Sequence, residues 1–288
     1  MRFFKFFRYL FETIIIILFF VIFKVIGLKN SSFISGKIFT FFGPFFRSEK
    51  IITQNLKTSF PNITDEKLKE YKKDMWNYYG KIFAEYLFLK KLRKNEFVNI
   101  EIFGNQILER IKDNKEPVIF VSGHFDNFEL MAMYLEKSGI NLSTVYRPLN
   151  NFFMNKIMEK LRLKYICKNQ IKKGRPGLKD SLRLFKAGYS IALMIDQRVS
   201  EGEKVNFFEK KAYTTTIPAQ FVKKFGCKVV PINIERVENI KFKINIFEPM
   251  EFSKNASISE ITYQLNIWLE KEILKNPSKW IWSHNRWK

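Results

Sequence analysis

Short apolar runs with strand character alternate with longer helical runs from residue 118 onward. Residues 118–121 are β-branched or aromatic and suit a buried strand, which Ser122-Gly123 breaks. Further strands are predicted at about 142–146, 190–195 and 228–234, and helices at about 128–138, 150–162, 176–187 and 216–225. Residues 241–247 alternate apolar and polar side chains, which fits an added edge strand. This alternation predicts an α/β fold: a single α/β sandwich with a largely parallel central sheet.

One of the two histidines stands where the first strand ends. His124 follows the Ser122-Gly123 break, and Glu129 comes five positions later, near the start of the next helix. Ligands of open α/β sheets collect at the carboxyl ends of strands. An imidazole with an unperturbed pKa of about 6.5 can accept a proton from a hydroxyl, and a carboxylate can fix its tautomer. The pattern predicts His124 as a general base oriented by Glu129. The alternative is a histidine that only caps the helix.

The stretch around His124 is one of five ordered segments that together resemble a known enzyme family. They are Asn55-Leu56 with Phe60-Pro61, residues 122–130, Tyr146-Arg147-Pro148 with Asn150, Asp196-Gln197 with Phe207-Phe208, and residues 280–288, which read WIWSHNRWK. They resemble the bacterial lipid A acyltransferases of the lauroyl/myristoyl type, a branch of the lysophospholipid acyltransferase group, whose HX4(D/E) motif His124 and Glu129 match. The resemblance spans nearly the whole chain. The departures are Asp126 and Glu209 where the family has Gly, Phe128 where it has Trp, and Asn285 where it has Arg.

The resemblance implies direct acyl transfer from a thioester, that of acyl carrier protein, to a hydroxyl of a lipid A precursor. His124 and Glu129 would be the catalytic pair. Cys167 and Cys227 lack metal-ligand spacing, and there is no Gly-rich phosphate loop, so we expect no metal and no nucleotide cofactor.

Three further kinds of residue are candidates for the site. Arg147 can fork onto an acceptor phosphate or a developing oxyanion, or it can be a surface arginine before Pro148. Asp196 ends an apolar run and either joins the site or binds an arginine structurally, and we favour the structural role. Aromatic side chains that suit an acyl-chain groove, or ordinary core packing, are Phe125, Phe128, Phe207 and Phe208. His284 is expected to pack between Trp282 and Trp287.

Charge points to an anionic partner. The chain carries 50 basic and 28 acidic residues, a formal net charge of +22. Nucleic acid, an acidic protein and a phosphorylated membrane surface all fit that balance. The 32 phenylalanines and the apolar N-terminus favour an anionic membrane surface, and we expect no nucleic-acid partner.

The N-terminus is the candidate membrane segment. The apolar run 9–23 lies between Arg8 and Lys24 and is interrupted by Glu12. A helix of that length reaches about 22 Å against a hydrocarbon core of about 30 Å. We expect residues 1–30 to be an uncleaved anchor, spanning or deeply interfacial, at the bacterial inner membrane. The catalytic domain, residues 31–288, would lie on the cytoplasmic side. Residues 33–46 either form a second membrane contact or pack under that domain.

Three functions remain open from the sequence. The first is the lipid A acyltransferase, and the second is a relative that acylates another phosphoglycolipid or a lysophospholipid. The third is a non-catalytic basic protein that binds membranes or nucleic acid. An intact His124 and Glu129 separates the first two from the third.

Overall fold

The centre of the molecule is a mostly parallel β-sheet. The computed structural model describes residues 2–94 and 100–288. Its strands are β1 (Ile100–Phe103), β2 (Ile119–Ser122), β3 (Leu142–Tyr146), β4 (Asn169–Lys172), β5 (Ser190–Met194), β6 (Glu203–Phe207), β7 (Lys210–Thr214), β8 (Val229–Glu238) and β9 (Lys241–Ile246). Seven of these form one sheet in the order β1-β9-β8-β2-β5-β3-β4, and β6 and β7 form a separate hairpin. Only the β8–β9 pair of the large sheet is antiparallel, so the predicted α/β fold is confirmed.

Helices occupy most of the connections. They are α1 (Arg2–Phe42), α2 (Glu49–Ser59), α3 (Asp65–Glu85), α4 (Leu89–Lys94), α5 (Asn105–Asn114), α6 (Glu129–Lys137), α7 (Phe152–Tyr165), α8 (Arg175–Lys186), α9 (Ile217–Phe225) and α10 (Ile258–Lys275). Because parallel neighbours need a crossover between them, helices between the strands are what such a sheet requires.

Strand β2 lies at the centre of the core. It pairs with β5 on one side and β8 on the other, and all four of its residues are buried. A strand covered on both faces needs a continuous apolar run rather than alternation, and Ile119-Phe120-Val121 supplies it. The residues that follow β2 are therefore attached to a fully buried strand at the centre of the sheet.

The structure corrects the assignment of residues 241–247. They form β9, but β9 lies between β1 and β8 and is not an edge strand. Strand β1 covers the expected edge by parallel pairing, for example Ile102 beside Ile244. Short strands such as β1 and β4 went unpredicted because four residues carry little periodic signal, and β4 contains a single apolar residue, Ile171.

Helix α1 is longer than the predicted anchor. It continues to Phe42 and bends at Gly27, whose φ of 79° favours glycine. Within the described residues it is the one helix long and apolar enough to cross a membrane. Beyond the bend, Ser35 donates to the Gly80 carbonyl of α3 at 2.6 Å. A Cβ at Gly80 would lie 2.2 Å from the Ser35 carbonyl oxygen, so glycine permits this close packing.

Helix α1 also contacts the α/β domain along most of its length. Phe6 packs against Phe153 at 5.5 Å between ring centroids, and Phe20 packs against Phe83 at 5.3 Å. Further along, the Ser32 hydroxyl donates to Glu85 at 2.7 Å. The opposite face of α1 is apolar and exposed, as at Phe4 and Phe11. One side of α1 is thus fixed to the domain while the other presents apolar side chains outward.

Candidate active site

Two neighbouring parallel strands bring their end residues together. Strands β2 and β5 pair in parallel, with Ser122 beside Met194. The chain leaves β2 at Gly123-His124 and leaves β5 at Ile195-Asp196. Because parallel strands end at the same edge of a sheet, His124 and Asp196 meet there although 72 residues separate them.

Asp196 is bonded to His124 twice. Its Oδ1 lies 2.8 Å from the imidazole Nδ1, and its Oδ2 accepts the His124 backbone N–H at 2.7 Å. The indole N–H of Trp280 donates to the same Oδ2 at 2.8 Å. Asp196 is fully buried, and burial alone would raise the pKa of its carboxyl. The charge and hydrogen bonds of His124, with the bond from Trp280, outweigh burial and lower that pKa to about 2.

The carboxylate fixes the chemistry of the imidazole. An ionised Asp196 accepts a hydrogen bond from Nδ1–H. The neutral imidazole then has its free lone pair on Nε2. The amide nitrogen of Gln197 lies 3.5 Å from Nε2, and the Phe128 ring stands edge-on to the imidazole at 4.7 Å. The His124 side chain is 17% exposed, against 1% for that of Asp196. This geometry would allow Nε2 to accept a proton while the carboxylate orients the ring.

Glu129 has other partners. Its Oε1 accepts from the Tyr86 hydroxyl and from Arg162, whose Nε lies 2.9 Å away. Burial and the charge of Glu129 raise the pKa of Tyr86. The sequence predicted a bond from Glu129 to the imidazole, and the structure corrects this because Asp196 bonds Nδ1. For Asp196 the sequence favoured a structural pairing with an arginine, and that expectation is corrected as well. It is Glu129 that pairs with an arginine: from the first turn of α6 it bonds Arg162 of α7. A catalytic role for Glu129 stays a prediction.

A buried group of charges holds the turn between His124 and Glu129. Arg236 donates through Nη1 and Nη2 to Glu85 at 2.8 and 2.9 Å, and its backbone N–H donates to Asp126 at 2.6 Å. Lys279 lies 3.7 Å from Asp126. Asp126 has φ of 36°, a conformation that favours the Gly expected there, so its carboxylate contacts offset backbone strain. We call Glu85, Asp126, Arg236 and Lys279 the buried charge cluster; its formal charges balance.

Two cations stand at the same edge of the sheet. Arg147 follows β3, which pairs with β5, and Lys173 follows β4. Both are exposed. Desolvation and the charge of Arg147 lower the pKa of Lys173, so the two cations lie close enough to repel. Such a pair favours an anion between them. The sequence analysis singled out Arg147 and missed Lys173, whose signal was its position just after a strand.

Three of the four candidate groove residues are buried. Phe207 stacks on Trp287 at 5.5 Å, Phe208 lies beside Phe207, and Phe125 forms a backbone bridge with Trp280. These three side chains lie in the core. Because a groove needs accessible walls, they do not line one. Phe128 remains half-buried against His124.

The segment after α10 forms one wall of the site. Trp280 bonds Asp196, and His284 Nε2 accepts the Arg198 backbone N–H at 2.9 Å. Burial lowers the pKa of His284 to about 4, so it is neutral at pH 7 and serves as an acceptor. The sequence motif around Trp280 was visible, but nothing in it indicated a bond to Asp196. Among the described residues no cluster of His, Cys, Asp and Glu could hold a metal.

Comparisons with known proteins cover nearly the whole chain. The family model for bacterial lipid A biosynthesis acyltransferases matches residues 2–288. The lipid A biosynthesis palmitoleoyltransferase of Escherichia coli (strain K12) is 24% identical over 251 residues, 84% of this chain and 79% of that protein. The lipid A biosynthesis lauroyltransferase of Escherichia coli (strain K12) is 25% identical with the same coverage. The crystal structure of the 1-acyl-sn-glycerophosphate acyltransferase from Thermotoga maritima covers 86% of this chain and 95% of its own, with 16% identity and a TM-score of 0.42.

Proposed function

The chain belongs to the bacterial lipid A biosynthesis acyltransferase family and is an acyltransferase of lipid A biosynthesis; from that premise we propose that it moves a fatty acyl chain from the thioester of acyl carrier protein to a hydroxyl of a lipid A precursor. The family membership confirms the resemblance in the sequence and excludes the non-catalytic reading. The observation that carries the mechanism is the His124–Asp196 pair at the carboxyl end of the sheet.

His124 would act on the acceptor hydroxyl. Its Nε2 takes the hydroxyl proton as the oxygen attacks the thioester carbon, and Asp196 stabilises the imidazolium that forms. That attack forms the C–O bond of a tetrahedral intermediate, and collapse of the intermediate restores the carbonyl and breaks the C–S bond. The imidazolium returns its proton to the departing thiolate, so the base is regenerated. Such a base contributes about 10² to 10⁴ in rate, and positioning and charge stabilisation supply the rest.

The two carboxylates would divide the work. Asp196 contacts the imidazole directly and sets its tautomer. Glu129 would act at one remove, because its salt bridge with Arg162 joins the start of α6 to α7. Arg147 and Lys173 would bind a phosphate of the acceptor. Both are cations at the carboxyl end of the sheet, and Arg147 follows the strand that pairs with β5, after which Asp196 comes.

Helix α1 would lie along the side of the domain that faces the membrane rather than cross the bilayer as an isolated span. Contacts at Phe6, Phe20 and Ser32 fix one face of the helix to the domain, while its other face is apolar and exposed. The exposed Phe41, Phe45 and Phe46 extend the apolar surface past the Gly27 bend, which supports a second contact.

The membrane arrangement predicts a partial effect of truncation. Removal of residues 1–30 should weaken association with anionic vesicles without abolishing it, because Phe41 to Phe46 and the basic surface still bind. Sedimentation of the shortened protein at low and high salt measures this. Fully soluble behaviour at low salt would show that the first part of α1 is the whole anchor.

Proteolysis of inverted and intact membrane vesicles tests the proposed cytoplasmic side.

The donor should be recognised by charge. Acyl carrier protein is small and acidic, so a chain of net charge +22 should capture it by steered encounter that salt screens over about 8 to 10 Å. We expect acyl carrier protein to exceed acyl-CoA in kcat/KM at low ionic strength, with a lipid A precursor as acceptor. That advantage should narrow as salt is added. Kinetics with one acyl chain on both carriers measure it, and a preference for the CoA thioester would contradict the proposed donor.

A further inference from the structure

Asn151 joins helix α1 to the loop that carries Arg147. Its Oδ1 accepts the backbone N–H groups of Phe153 and Met154 at 3.1 and 3.2 Å, which caps α7. Its Nδ2 donates to the Tyr9 carbonyl at 2.9 Å and to Glu12 at 3.1 Å. One side chain therefore begins α7 and bonds a helix about 140 positions earlier in the sequence. We call the two bonds made by Nδ2 the Asn151 clasp.

The clasp goes beyond what a helix cap needs. Capping uses only the side-chain oxygen, and Ser, Thr or Asp would serve as well. The Nδ2 donor makes two bonds to α1, and Oδ1 also accepts from the Thr13 hydroxyl of that helix at 3.3 Å. Its partner Glu12 is the one acidic side chain in the apolar run 9–23 of α1. Arg8, 3.3 Å from Glu12, completes the polar spot.

The clasp lies four residues from Arg147. Strand β3 ends at Tyr146, the exposed loop 147–150 follows, and Asn151 closes it. The Leu149 backbone N–H donates to Asn155 of α7 at 2.8 Å, so both ends of this loop are fixed. The clasp therefore ties the loop that carries Arg147 to α1 as well as to α7, beside the strand that precedes Asp196.

The surroundings of the clasp are apolar and face outward. Phe6 of α1 packs on Phe152, with ring centroids 6.0 Å apart, and Phe152 is 41% exposed. Leu149 is 42% exposed in the same loop, and Phe3 is exposed one turn before Phe6. The apolar outer face of α1 thus continues across the loop that carries Arg147.

We propose that the Asn151 clasp positions this loop against the membrane helix, so that Arg147 meets the phosphate of a lipid acceptor entering from the bilayer face. This rests on the proposed function and adds a docking position for the acceptor. Asn151 is a positioning residue: it acts through Arg147 and touches neither His124 nor Asp196. Its loss should weaken use of the lipid acceptor while the acyl donor is handled as before.

The test replaces one amide by a carboxylate. Asn151→Asp keeps the cap on α7 but sets a second negative charge against Glu12 and the Tyr9 carbonyl. Asn255→Asp, at an exposed loop position before α10, is the matched control for the added charge. In purified full-length protein with acyl carrier protein thioester and a lipid A precursor in anionic vesicles, Asn151→Asp should raise the acceptor KM about tenfold, with kcat and donor KM within about threefold. The control should match wild type.

A second substitution separates positioning from folding. Adding Glu12→Gln to Asn151→Asp supplies an amide that can donate to the new carboxylate, so the acceptor KM should return to within about threefold of wild type. An Asn151→Asp enzyme equal to the control would overturn the clasp, as would equal losses in kcat and donor KM that Glu12→Gln leaves unrescued. A wild-type chain that acylates no lipid A precursor would contradict the proposed function itself.

Discussion

Replacement of His124 by Ala should lower acyl transfer by two or more decades while the protein stays folded and bound to membranes. The general base alone accounts for about 10² to 10⁴ in rate, and no other described side chain takes the place of Nε2 beside Asp196. The fold should survive because the His124 side chain lies at the surface of the site, 17% exposed, rather than in the core. Single-turnover transfer from acyl carrier protein measures the loss.

The second histidine provides the control. His284→Gln keeps an acceptor for the Arg198 backbone N–H and removes no group placed at the reacting atoms. Its rate should stay within about tenfold of wild type. A His124→Ala enzyme that turns over within threefold of wild type would remove His124 from the mechanism.

Asp196→Asn should cost nearly as much as loss of the base. The carboxylate accepts from the His124 backbone, the imidazole and Trp280, and an amide has only one oxygen for these donors. If its NH₂ faces Nδ1, the imidazole proton moves to Nε2 and the base lone pair points away from substrate. Comparable substitutions in serine proteases lower kcat by about 10⁴. The fall should appear in kcat with acceptor KM little changed.

Glu129→Gln is the matched comparison, because it removes the other carboxylate near the turn. It weakens the buried salt bridge with Arg162, so thermal stability should drop, while the rate at a temperature where the variant is folded should fall less than in Asp196→Asn. A Glu129→Gln enzyme as slow as Asp196→Asn with unchanged stability would make Glu129 the orienting carboxylate.

The pKa of Asp196, lowered to about 2, keeps it ionised from neutral pH down to about pH 3. Loss of activity above that pH therefore reports protonation of a group other than Asp196.

The sequence placed His124 at the end of a strand but did not identify the carboxylate that bonds it. His124 was recognisable because the apolar run 118–121 and the Ser122-Gly123 break place it at a strand end. Glu129 was chosen as partner because it is near in sequence. Asp196 is the partner in space because β5 pairs with β2, and that order of strands is a tertiary property which no local spacing contains.

The same limit applies to the aromatic residues and to α1. Composition indicated an apolar helix and many phenylalanines, but it did not distinguish packing on lipid from packing on protein. Phe207 and Phe208 lie on the hairpin of β6 and β7, which the sequence did not predict, and they are buried under Trp287. The polar contacts of α1 with Asn151 and Glu85 join segments 50 or more residues apart and left no periodic signal.

The position of Trp280 also sets the order in which the site can be completed during translation. Helix α1 emerges from the ribosome first and can reach the membrane while the strands are still being made. Asp196 gains its bond from Trp280, and Asp126 its neighbour Lys279, only after α10 has been synthesised. A nascent chain can thus be anchored with its sheet assembled and its His124–Asp196 pair still open on one side. In the proposed arrangement, tethering to the membrane would therefore precede completion of the site.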